Sequence, residues 1–185
     1  MLQTQEQGTE LCEVSESAGT ERSVLPDKPH LYDNCMSYSI QAVIATQGTF
    51  PAELPNGLVV IQFDGGVDLI PLESTARKLY GIPFLSLTNE GNDELPSVLK
   101  NLCSTLSAQG PVAYIEAEFF DGSGTQAHAL ISGAGADALV AASDDAINQA
   151  LRWLGVQPLD NKDQFDTVGL SKHRETDLWI VDSNP

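Results

Sequence analysis

Cysteine and histidine are the two residue types here most able to make an enzyme. Cys35 stands just before an apolar segment, and His128 opens the apolar run Ala129-Leu130-Ile131. A thiolate nucleophile needs an imidazole base beside it and a third polar group to orient that base. It also needs a helix N-terminus or a cation to lower its pKa. The residues after Cys35 alternate like a strand instead, and Cys35 sits at the border of a polar leader. A catalytic Cys35–His128 pair therefore stands as an alternative, and a non-catalytic protein is the first expectation.

Carboxylates are the other chemically able groups. Glu116 and Glu118 lie two apart in an alternating segment, so a strand would point both to one side, about 7 Å apart. A hydrolase or a metal could use such a pair; an exposed strand face that meets a basic partner uses it as well. The runs Asp64-Gly65-Gly66-Val67-Asp68 and Asp121-Gly122-Ser123-Gly124 put acids on loops, which is how calcium sites begin. Neither supplies the spaced ligands and closing Glu of an EF-hand loop, and Gly and Asp are ordinary hairpin residues. Glu116, Glu118 and Asp121 are accordingly expected to form a binding surface.

Lys172, His173 and Arg174 gather three of the scarce cationic-capable groups. They could hold a phosphate or a carboxylate; ion pairs with Glu175 or Asp177, or with a helix end, are the structural alternative. Cys12, Cys35 and Cys103 are odd in number and widely spaced, which is no disulfide framework. No CxxC or HxxxH spacing offers a zinc site. Neither a metal nor a cofactor is expected.

Charge narrows the partners. Nine Lys and Arg face 26 Asp and Glu, a formal charge of −17. Nucleic acid rewards proteins that release its counterions with cations, so direct binding to it is not expected. An anionic membrane surface is disfavoured for the same reason. A basic protein partner is favoured, because complementary fields steer encounter; solubility alone is the plainer reading. A nucleic-acid mimic would need its acids in a long stripe, and these are scattered. No basic and apolar signal pattern opens the chain and no stretch approaches a membrane span, so cytoplasm is the expected location.

These groups need elements to hold them. Residues 1–35 are rich in Gln, Glu, Ser, Thr and Gly without apolar period, so a flexible acidic leader is expected there. Met36 is a second candidate start. Residues 36–185 read as a single α+β domain. Strands are expected over Ser37–Ala45, Leu58–Phe63, Val67–Leu72, Val112–Phe120, Ala127–Ser132 and Ala138–Ala141, with Val112–Phe120 half-exposed and its acids on one side. Short helices are expected over Ser74–Tyr80 and from about Asp163 to Val168. The two main helices are one capped by Asp93, with Pro96 in its first turn, and one over Asp144–Leu154 capped by Ser143 or Asp144. Leu178 to Val181 form a possible docking patch in a polar tail. Hairpin turns without regular βαβ alternation give a mainly antiparallel sheet of about five to six strands with two main helices packed on it.

Two resemblances accompany this reading. The order of Cys35 and then His128 at a strand start resembles papain-like cysteine hydrolases, on two residues and a topology. The runs at 37–45, 110–120, 146–156 and 166–174 resemble a group of small bacterial proteins with no assigned activity, from about Met36 onward. That group implies no catalytic set to carry over. The leading expectation is a non-catalytic acidic module, of immunity or inhibitor type, that binds a basic protein; oligomeric state is not specified by the sequence.

Overall fold

The computed structural model describes residues 37–89, 91 and 93–179, which belong to one compact unit. The expected leader over 1–35, with Cys35, lies outside the described residues. Six strands form one sheet: β1 (Tyr38–Thr46), β2 (Ile61–Phe63), β3 (Val67–Pro71), β4 (Val112–Phe120), β5 (Ser123–Ile131) and β6 (Leu139–Ala142). Their order is β2-β3-β1-β4-β5-β6, and every pairing is antiparallel. With helices α1 (Ser74–Tyr80), α2 (Ser97–Leu106), α3 (Ala146–Trp153) and α4 (Gln164–Val168), the chain is an α+β domain.

Alternation along β1 and β4 sends side chains to two different cores. Val43, Ala45, Val112 and Tyr114 meet Leu99, Leu102, Cys103 and Leu106 of α2 on one face. Ile40, Ala42, Ile44, Ala113, Ile115 and Ala117 meet Ile147, Ala150 and Leu151 of α3, with Val168 of α4, on the other. The main helices thus cover opposite faces. Each fully buried Leu or Ile in these layers contributes about 1.5–3 kcal/mol over its exposed state.

Double coverage corrects the half-exposed reading of Val112–Phe120. The strand is central and buried from Val112 through Ala117, and only its last turnward residues reach solvent. The first main helix starts at Ser97 behind Pro96, not at Asp93: Pro96 is extended (φ −51°, ψ 142°), and no side chain caps the helix. A proline also biases the residue before it away from helix, and Leu95 is spent in the core instead. α3 likewise starts later than expected, after Asp145, whose side chain does not cap it; that carboxylate faces Arg152 at 3.6 Å.

The second strand keeps only Ile61–Phe63. Ile61 pairs with Leu69, and continuing that register brings Val59 opposite Pro71, which has no N–H for a ladder. β5 reaches back to Ser123 because Asp121 (φ 49°) and Gly122 (φ 78°) make a two-residue turn with both residues left-handed, the geometry that matches strand twist. In the tail, the Arg174 carbonyl accepts from Ser39 N at 2.7 Å and Thr176 Oγ1 accepts from Gln41 N at 2.9 Å. This segment covers the stretch of β1 that β3 does not reach. Trp179 is buried and Leu178 exposed; Ile180 and Val181 lie outside the described residues.

Candidate functional site

The acids singled out in the sequence are not brought together. Glu116 is 0 % exposed, contrary to the expectation of a surface carboxylate, because the segment 83–88 lies over it. Glu116 Oε1 accepts from Leu87 N at 2.9 Å and from Thr88 N at 2.6 Å, and Oε2 accepts from the Tyr114 hydroxyl. Gln41 completes the network. Its Nε2 donates to Pro83 O and to Tyr114 Oη, and its Oε1 accepts from Leu85 N. Burial, joined by the charge of Glu116, pushes the Tyr114 phenol well above its ordinary value. Leu85 is held at φ 47° within this segment, a conformation uncommon outside glycine. Glu116 is therefore a fastener for a loop. Glu118 and Asp121 are exposed, the first near the end of β4 and the second in the hairpin turn.

His128 is also interior, 3 % exposed. Its Nδ1 lies 2.9 Å from the Ala146 carbonyl at the start of α3, so Nδ1 carries the hydrogen. Burial lowers its pKa, and the bond to that carbonyl opposes the shift. Its proposed partner Cys35 is outside the described residues. Cys103 lies against the α2 core, where burial pushes its thiol up to about 12; such a thiol is not a nucleophile.

Lys172, His173 and Arg174 part company. His173 packs edge-on to Phe63 at 5.1 Å and to Trp179 at 5.7 Å. Lys172 and His173 line a cavity of about 190 Å³ that also contains Asp64. Arg174 lines a different cavity, so the three do not form one anion site. Asp64 and Asp121 lie in hairpin connections, but Asp68, expected on a loop, is a buried residue of β3 whose Oδ2 accepts from Gly48 N at 2.8 Å; among the described residues no three His, Cys, Asp or Glu are grouped to hold a metal.

A groove that sequence reasoning missed lies beside α3 and α4. Tyr38 and Phe119 face each other across β1 and β4, with ring centroids 6.5 Å apart, and Phe165 of α4 stands edge-on to Tyr38 at 5.6 Å. These rings are shared by two cavities. One, about 290 Å³, is completed by Gln126, Asp144, Ile147, Asn148 and Asp163. The other, about 230 Å³, is completed by Ser37, Gly122, Ser171 and Arg174.

The walls of the acidic cavity are fixed by their own bonds. Asn148 accepts from Phe165 N at 2.8 Å and donates to Asp163 Oδ2 at 2.9 Å. Asp163 Oδ1 caps α4 through Asp166 N at 2.8 Å. Gln126 accepts from Ile147 N and donates to the Asp144 carbonyl. The Tyr38 hydroxyl is buried with no hydrogen-bond partner among the described residues, and burial pushes that phenol far above its ordinary value. The sequence signal was slight: one aromatic at each end of two strands that only the register brings opposite one another.

A further cavity of about 290 Å³ contains Arg77, Phe84, Thr176 and Asp177. Its cation is already engaged. Arg77 donates to Leu72 O at 2.7 Å, lies 4.9 Å from the Phe84 ring centroid, and faces Asp177 at 3.7 Å.

No family model, curated protein or solved structure matches the chain. Among the described residues no helix is long and apolar enough to cross a membrane.

Proposed function

We propose that the protein is a non-catalytic binding module that captures a basic protein partner, in the manner of an immunity or inhibitor protein of the cytoplasm. The observation that carries this reading is the concentration of acids at and between α3 and α4, of which Asp144 and Asp163 line the groove. Asp144 and Asp145 immediately precede α3, Asp160 and Asp163 lie in the α3–α4 connection and Asp166 lies on α4, against Arg152 and Lys162 as the only cations of that stretch. Of the five, all but the half-buried Asp145 are exposed. Exposed carboxylates of one sign over a rigid layer raise the encounter rate with a cationic surface and repel nucleic acid and anionic lipid.

Chemistry has less support. The interior polar groups Glu116, Tyr114 and Gln41 are occupied with one another and with backbone, and His128 is tied to Ala146. None is left with the loose, solvent-reachable geometry that a proton-transfer group needs.

Affinity capture with the full chain, from the cells that make it, tests the reading. The captured protein is identified, purified and bound again at about 50 mM and about 500 mM salt, a range that shortens the screening length severalfold. A partner rich in Lys and Arg, weakening steeply with salt, is the expected result. A partner of acidic composition, or binding indifferent to salt, counts against it.

A further inference from the structure

We propose that the acidic end of the aromatic groove is an anchor pocket for one arginine side chain of the partner. This rests on the reading of the protein as a binder of basic proteins, and it specifies which group is recognised and where.

The lining selects the guest by chemistry. Three rings, Tyr38, Phe119 and Phe165, offer apolar and π surface, which attracts a weakly hydrated, planar cation more than a compact ammonium. Asp144 and Asp163 stand in the same lining, and no Lys or Arg does. A guanidinium presents several N–H donors in one plane and can reach carboxylates while its faces lie on rings. An anion would meet two acids. A metal ion would find too few ligands, since Asp163 is the N-cap of α4 and also holds Asn148.

One further observation fits an occupant. The volume of about 290 Å³ suits one long side chain rather than a helix or a strand. The chain's own first 36 residues are poorly matched to this pocket, because they carry seven acids and only Arg22 and Lys28 as cations. Charge complementarity therefore points outward, to a second protein.

The pocket can be probed without the partner. The full chain is titrated with acetyl-Gly-Arg-Gly-amide, the lysine analogue and the citrulline analogue, following backbone amide resonances by NMR. Saturable shifts at Tyr38, Phe119, Asn148 and Phe165 are expected with arginine, at least about threefold weaker with lysine and absent with uncharged citrulline. Asp144→Asn is expected to weaken the arginine peptide by about threefold to tenfold, with the spectrum otherwise unchanged. Equal binding of citrulline, shifts confined to other surfaces, or an indifferent Asp144→Asn would overturn the proposal. The captured partner separates the two claims. If its binding stays salt-dependent but ignores Asp144→Asn and Phe165→Ala, the anchor pocket is wrong and the acidic binding module stands.

Discussion

The Tyr114 hydroxyl donates to Glu116 and accepts from the Gln41 amide at 2.9 Å, so two neighbouring strands jointly hold a carboxylate that two backbone N–H groups of another segment complete. Burying an acid is costly unless its acceptor sites are filled. Here the donors are Leu87 N, Thr88 N and the phenol.

Glu116→Ala strands three donors in the interior. The expected loss is about 3–5 kcal/mol, because each buried donor left unsatisfied costs about 1–3 kcal/mol. Tyr114→Phe keeps the two backbone bonds and should cost about 1–2 kcal/mol. Urea midpoints measure both, and limited proteolysis within residues 83–89 should be faster in Glu116→Ala. An alanine variant within about 1 kcal/mol of the parent would show that the network is ornamental.

His128 makes stability depend on pH in one direction. Its folded pKa is lowered from 6.5 by burial, so the unfolded chain binds a proton more readily. Its contribution is complete above the unfolded pKa and is lost as pH falls from about 6.5 toward and through the folded value. A His128→Gln variant, measured by urea unfolding at several pH values between about 5 and 7.5, should lose part of that acid-side slope. An unchanged slope would mean that His128 does not titrate on unfolding.

Gly124 has a steric reason to be glycine. A Cβ there would run into the carbonyl of Glu118 and the ring of Phe119, its partner across the β4–β5 hairpin. Gly124→Ala should therefore cost about 1–3 kcal/mol, as overpacking does, and should disturb the ring that floors the groove. Thermal unfolding and the Phe119 ring resonances report the two effects. Full stability in the variant would contradict the close approach.

Most elements were legible because their signals are local. Alternation placed β1 and β4 within a residue, and the spacing of Leu99, Leu102, Cys103 and Leu106 revealed the buried stripe of α2. What alternation does not contain is the layer above a strand. Glu116 follows Tyr114 at the period of an exposed face, yet the segment carrying Leu87 and Thr88 covers both. The groove was illegible for a related reason. Tyr38, Phe119 and Phe165 become neighbours only through strand register and the docking of α4, and a single sequence displays neither. The cluster Lys172-His173-Arg174 shows the opposite case: adjacency in sequence suggested one site, whereas Lys172 and His173 line one cavity and Arg174, beyond the extended backbone of His173, lines another.

The most direct test of the acidic docking face compares two charge-neutralised variants of the full chain against the captured basic partner. One carries Asp144→Asn, in the groove lining, with Asp160→Asn in the α3–α4 connection and Asp166→Asn on α4; the other carries Glu53→Gln, Asp93→Asn and Glu94→Gln, away from α3 and α4 in sequence. Both remove the same charge. The account predicts that the first variant weakens binding by at least about tenfold at low salt and flattens its salt dependence, while the second changes it by less than about threefold. Equal losses in both, or none in the first, would contradict a docking face on α3 and α4.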